Sequence, residues 1–188
     1  MKLRERKPAL LLIDIQKGFE DEDYWGGNRN NKDAEIKSGQ ILNQWRALNL
    51  PVFHIRHSSQ NPNSKLHASH KGFEIHDSVK PISGEPVITK NVNSAFIGTD
   101  LKEQLDEQGI NTLVIVGLTT NHCVSTTTRM AGNYGYHTIL ISDATATFDR
   151  MGINGEKYSS EIIHLTTLAN LKDEFAEILD TDQLLRNI

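Results

Sequence analysis

The chain has one cysteine among its 188 residues. That count excludes an internal disulfide, a CxxC redox pair and any zinc site built from several cysteines. Long hydrophobic runs are missing as well. The longest, Ala9 to Ile13 and Leu113 to Leu118, fall far short of the roughly 20 apolar residues that a membrane-spanning helix needs. The N-terminal stretch MKLRERKPALLLID is basic but has no extended apolar segment and no small-residue cleavage site. No signal peptide is expected, and the expected location is cytoplasmic. A basic excess is also lacking: the net charge is −4, which argues against a nucleic-acid partner. No GxGxxG follows the first apolar run, and neither GxxxxGKS/T nor GxSxG occurs. Dinucleotide, P-loop and serine α/β-hydrolase readings therefore lack their motifs. No repeat of 20 to 50 residues is present.

What remains is an ordinary globular composition, 37% hydrophobic and 23% charged. A chain of this length buries roughly 70% of its unfolded surface, which suffices for one sizeable core; residues 1–188 are read as a single domain. Ala9–Ile15, Val52–Ile55, Pro86–Thr89, Leu113–Gly117 and Thr138–Ser142 are short and rich in Val, Ile and Leu, the pattern of strands buried on both faces of a parallel sheet. Amphipathic segments lie between them. In Lys32–Asn49, residues Ile41, Leu42, Trp45 and Leu48 share a helical face, and Pro51 follows. Asp100 and Glu103 have capping-box spacing at the head of Asp100–Gln108, and Gly109 suits its C′ position. Tyr158, Ile162, Leu165 and Leu168 mark a further helical face. A short strand near Phe175–Leu179 and a terminal helical turn are expected to close the fold. The alternation predicts a three-layer α/β/α sandwich with a mainly parallel, doubly wound, Rossmann-like sheet. Two loops, Gly18–Asn31 and Ser58–Gly84, are long enough to imply a role at a site.

In such a sheet the ligand crevice lies outside the carboxyl ends of the strands. Three polar residues stand there: Asp14 in LLLIDIQKGF, Lys90 in EPVITKNVNSAF, and Cys123 in LVIVGLTTNHCVSTTTRMAG. Taken alone, a lone cysteine is more often inert core, and a strand-end Asp or Lys more often caps a turn or reaches solvent. One acid, one amine and one thiol together at strand ends favour a site. A helix N-terminus and a nearby ammonium would lower the thiol pKa, and Asp14 would shuttle its proton. Backbone N–H groups of the Thr119–Cys123 turn would face an oxyanion.

On these residues the chain resembles the isochorismatase-like cysteine hydrolases, over nearly its whole length and most specifically in GLTTNHCVSTTTRMAG. The resemblance implies an Asp14, Lys90 and Cys123 triad, an oxyanion hole at Thr119 and Cys123, and a cis peptide at Leu118–Thr119. It also implies self-association as a dimer or larger. True isochorismatases lack the nucleophilic cysteine, so Cys123 points to amide, ureide or related C–N hydrolysis. Nicotinamidases bind a metal through an Asp-x-His pair after the second strand; here VFHIRHSS places His54 where that Asp would be. No metal and no other cofactor is expected.

Five of the eight histidines, His54, His57, His67, His70 and His76, lie in one region, but their spacing follows no ligand pattern. They are read as loop residues or pocket wall, with His54 and His57 at the second strand end. Phe19, Tyr24, Trp25 and Phe96 are candidates for an apolar pocket wall, and Asn93 for a substrate contact. Gln16 and Asp143 are given structural hydrogen bonds. The leading expectation is a hydrolase of a small amide acting through an acyl-enzyme on Cys123. Two alternatives stay open: isochorismatase-type ether hydrolysis with Cys123 not essential, and a catalytically silent small-ligand-binding protein.

Overall fold

A computed structural model describes residues 3–188. Among the described residues eight strands are formed: β1 (Ala9–Ile13), β2 (Val52–His57), β3 (Val87–Lys90), β4 (Thr112–Leu118), β5 (His137–Ala146), β6 (Arg150–Met151), β7 (Lys157–Tyr158) and β8 (Glu177–Leu179). Six make one all-parallel sheet in the order β3-β2-β1-β4-β5-β8, and β6 and β7 form a separate small antiparallel hairpin. The helices are α1 (Glu22–Trp25), α2 (Ala34–Ala47), α3 (Leu101–Glu107), α4 (Ser125–Asn133), α5 (Ser160–Leu171) and α6 (Thr181–Asn187). The doubly wound prediction holds.

Strand alternation divides the core in two. Leu10 and Leu12 of β1 and Val114 and Val116 of β4 pack with Ile41, Leu42 and Trp45 of α2 and Leu184 of α6. Ala9, Leu11 and Ile13 of β1 and Leu113 and Ile115 of β4 face the other layer, with Leu101 and Leu105 of α3, Ala131 of α4, and Leu168 and Leu171 of α5. Burial of both faces explains why these strands read as continuous apolar runs. No helix among the described residues is long and apolar enough to cross a membrane.

Several local expectations need correction. The first strand stops at Ile13 rather than Ile15, because Asp14 adopts a left-handed backbone with φ of 49°. Asp100 has capping-box spacing but its side chain makes no cap hydrogen bond; its φ and ψ of −99° and 16° are not the extended geometry of such a cap. The other end of α3 is as expected. Gly109 has φ of 64°, and the Gly109 and Ile110 N–H groups donate to Asp106 O and Leu105 O, each at 2.9 Å, which is a Schellman closure. The face assigned to α5 is wrong: Tyr158 lies in β7, and Ile162 and Leu165 are more than half exposed. The buried face instead runs through Ser160, His164, Leu168 and Leu171.

The fifth strand is longer than predicted. Opposite the single residue Val116 stand four residues of β5, Ile141 to Ala144. Asn31 closes this irregularity, its Nδ2 donating to Ser142 O at 3.0 Å and Thr145 O at 2.7 Å. Asp143 accepts from Lys37 and from both the N–H and hydroxyl of Thr181, anchoring the start of α6. Beyond the irregularity β5 carries the chain on towards Phe148 and Arg150.

Candidate active site

The strand order reverses between β1 and β4, the point where a crevice opens at the carboxyl ends. Backbone proximity there is extreme. A side chain on Gly117 would put its Cβ 2.0 Å from Ile13 O, and its φ is 123°; only glycine lets β4 run this close to the end of β1. Just beyond, Leu118–Thr119 is a cis peptide, as the resemblance implied. A single π-helical turn, Thr120–Val124, then leads into α4 and carries Cys123.

Asp14 and Lys90 meet here although they come from strands separated by β2. Lys90 Nζ donates to Asp14 Oδ2 at 2.6 Å, and both side chains are essentially fully buried. The second oxygen, Asp14 Oδ1, is buried with no hydrogen-bond partner. Cys123 Sγ lies within 4.8 Å of an Asp14 carboxylate oxygen and of a His57 ring nitrogen. His57 Nδ1 is 3.3 Å from Lys90 Nζ, consistent with the pairing of His57 with Lys90 between β2 and β3. Burial and the neighbouring ammonium hold the His57 imidazole below its ordinary pKa, so it accepts from Lys90 as a neutral ring.

The thiol departs from expectation. Burial pushes Cys123 up to about 12; the Asp14 charge adds to this and Lys90 opposes it. The resting group is a protonated thiol. The ammonium that was expected to draw the proton off is already engaged by Asp14 at 2.6 Å.

Asp14 and Cys123 open into a cavity of about 330 Å³, lined also by Phe19, Trp25, His57, Asn93, Thr119, His122 and Arg150. Phe19 and Trp25 pack at 4.7 Å between ring centroids, with Trp25 Nε1 donating to Gly18 O. Phe96 is not in this wall. It is buried in the layer of α3 and α4, stacked on Tyr136 and edge-on to Tyr134, because its segment has turned away from the strand end. Tyr24 is also outside the lining, half exposed and edge-on to Trp25. Gln16 ties the site together structurally: its Nε2 donates to His57 O and Phe73 O, and its Oε1 accepts from the His57 N–H.

The histidines do not converge. His54 is buried in the sheet against Glu85 at 2.8 Å, away from the cavity. His67 bonds Ser69, His70 bonds Pro62 O, and His76 caps the turn at Ser78. Of these five, His57 alone reaches the site. Among the described residues one trio, Asp14, His57 and Cys123, brings possible metal-ligand atoms together. The Lys90 ammonium already occupies the cationic place beside two of the three, and a divalent ion there would meet it at close range. The residues do not fit a metal centre.

Sequence reasoning missed His122 and Arg150. His122 Nδ1 is 3.2 Å from Thr119 Oγ1 and 3.1 Å from Arg150 Nη2. The only available signal for His122 was its place next to Cys123. Arg150 had none, since the lengthening of β5 decides where it falls. A larger depression of about 430 Å³ lies at the opposite, amino ends of β5 and β8 and holds no nucleophile.

Residues 8–183 match the family model of the isochorismatase domain. The chain is 50% identical to the isochorismatase family protein YrdC of Bacillus subtilis (strain 168) over 183 residues, 97% of each chain. It is 32% identical to Nicotinamidase 3 of Arabidopsis thaliana over 205 residues, covering 98% of this chain and 93% of that one. An isochorismatase-family structure from Chromobacterium violaceum ATCC 12472 superposes with a TM-score of 0.94 at 39% identity, over 100% of this chain and 96% of the other. The strand order, the glycine-gated crevice and these similarities agree: the chain is a hydrolase of the isochorismatase family.

Proposed function

We propose that this hydrolase cleaves a small amide or ureide C–N bond through a covalent acyl-enzyme on Cys123. The observation that carries this reading is the open oxygen of Asp14. A buried carboxylate oxygen without a partner is costly, and the carboxylate that carries it comes within 4.8 Å of the thiol in the cavity where a proton must be received.

The chemistry follows from the resting protonation. As the sulfur bonds to the substrate carbonyl carbon, the thiol proton passes to Asp14 and the carbonyl π pair moves onto oxygen. The N–H groups of Thr119 and Cys123 stabilise that oxyanion. Collapse re-forms the carbonyl and breaks the C–N bond, with Asp14 returning its proton to the leaving nitrogen. Water then attacks the thioester, giving one proton to Asp14, and the thiolate recovers it as the acid departs. Lys90 holds Asp14 in place and offsets negative charge throughout. A thiol raised to about 12 suits this order, since the proton leaves only as the sulfur bonds to carbon.

Nicotinamidase 3 bears the name of an amide hydrolase, which supports the bond type but not a substrate. The test is a panel of small amides and ureides assayed for ammonia release, with Cys123→Ala as the blank and mass spectrometry of the quenched enzyme. An added acyl mass on Cys123 is the expected result. Release of product by the alanine variant, or cleavage of isochorismate alone, would overturn the reading.

A further inference from the structure

Arg150 on β6 lines the cavity beside Asp14, His122 and Cys123. Its Nη2 donates to His122 Nδ1 at 3.1 Å, while its Nε is buried with no hydrogen-bond partner. No carboxylate among the described residues lies within 4.0 Å of the guanidinium. The adjacent acid, Asp149, is taken by Lys157 at 2.7 Å, by the Ser160 N–H at 2.7 Å and by Asn28 at 3.0 Å. Asp14, on the cavity wall, is already paired with the buried Lys90 behind it. Arg150 is therefore the uncompensated charge of the site.

A half-buried guanidinium whose Nε is shut off from water and which has no counter-ion is unfavourable unless a ligand supplies one. Its planar fork matches a two-oxygen planar anion. We propose that the substrate carries a carboxylate in addition to its scissile C–N carbonyl, and that Arg150 receives it. This deepens the amide-hydrolase reading and rests on it. His122 is the positioning residue: its Nδ1 accepts from Arg150 and contacts Thr119 Oγ1, linking the anchor to the nucleophile turn. Burial and the arginine hold the His122 imidazole below its ordinary pKa, which keeps that nitrogen free to accept. The cavity of about 330 Å³, walled by Phe19 and Trp25, limits the spacer between carboxylate and amide to a few carbons.

The test compares succinamic acid, which has both groups, with butyramide, which lacks the carboxylate. In the wild type kcat/KM is expected to favour succinamic acid. In Arg150→Gln that ratio is expected to fall about 30-fold or more, the size of a lost charge-assisted hydrogen bond, mainly through KM. Arg150→Lys should restore part of it and, by circular dichroism, remain folded. An unchanged ratio overturns the anchor. A second measurement needs no turnover: calorimetric titration of succinate into wild type and Arg150→Gln. Binding weakened about 30-fold or more in the variant supports the anchor even if neither amide is hydrolysed; equal binding, or none to the wild type, overturns it.

Discussion

Towards the amino ends of β2 and β3, Glu85 accepts Arg46 Nε at 2.7 Å, Arg46 Nη2 at 2.8 Å, His54 Nε2 at 2.8 Å and the Ile82 N–H at 3.1 Å. At the carboxyl ends of β1 and β3, Asp14 accepts Lys90 on one oxygen and nothing on the other. Both clusters hold charge at the same sheet, yet only one leaves a carboxylate oxygen open. Burial alone would raise the Glu85 pKa, but its four donors outweigh it and hold the carboxyl at about 2. The saturated carboxylate has no capacity left for chemistry and serves to tie α2 to the sheet. The half-served one sits in a cavity next to a thiol. What distinguishes the structural ion pair from the one we propose to be catalytic is unfilled hydrogen-bonding capacity facing a solvent-reachable space.

The sharpest break of this contrast is at the thiol. Cys123→Ala is expected to lower amide turnover by at least about 10⁴-fold, with stability by denaturant unfolding changed by less than about 1 kcal/mol for so small a side chain. A folded, active alanine variant would remove the distinction between the two ends.

Asp14→Asn comes next. Loss of the proton carrier is expected to cost about 10³-fold in turnover, and stranding Lys90 in the core about 3 kcal/mol of stability. The variant also removes the negative charge that helps hold the thiol up. The pH midpoint for Cys123 alkylation by iodoacetamide should therefore move down from its wild-type position, even as turnover is lost. A midpoint that stays put would mean burial alone sets the thiol.

Glu85→Gln probes the saturated cluster. It is expected to cost about 2 kcal/mol of unfolding free energy while leaving turnover unchanged. Its pH signature has a definite sign. A carboxyl held at about 2 rather than its ordinary 4.5 contributes stability above pH 4.5, and that contribution is lost as pH falls towards 2. Between those values wild type should lose more stability than Glu85→Gln, as followed by chemical denaturation at each pH.

The smallest effect applies the same rule to helix ends. Asp180 makes a reciprocal capping box with Gln183, whereas Asp100 makes no side-chain cap. Asp180→Ala should cost about 1 kcal/mol, and Asp100→Ala no more than about 0.5 kcal/mol from charge near the helix dipole. Equal losses in thermal unfolding would show that open and closed hydrogen-bonding capacity matters less than position.

Much of the fold was legible because burial on both faces writes itself into the chain as apolar runs, and helix amphipathicity into its spacing. Ile41, Leu42 and Trp45 are at the core as their periodicity implied. The α5 face was misread because a residue's apolarity does not say which layer it meets; Ile162 and Leu165 are on the outside. Phe96 was misplaced for a related reason, since nearness in sequence to Lys90 does not survive the turn that follows β3.

By itself the sequence determined the strand-helix order and the residue types at the strand ends, because those depend on local pattern and on the one rule that parallel strands point their carboxyl ends the same way. It set Asp14, Lys90 and Cys123 at or just past the carboxyl ends of three parallel strands. Only the tertiary structure decided how they share charge. Lys90 is spent on Asp14, the thiol rests protonated, and one carboxylate oxygen is left open. It also decided that four residues of β5 stand against one of β4, which carries Arg150 into the cavity. Distances of a few ångströms and the exclusion of water set these outcomes, and neither is a property of any segment read alone.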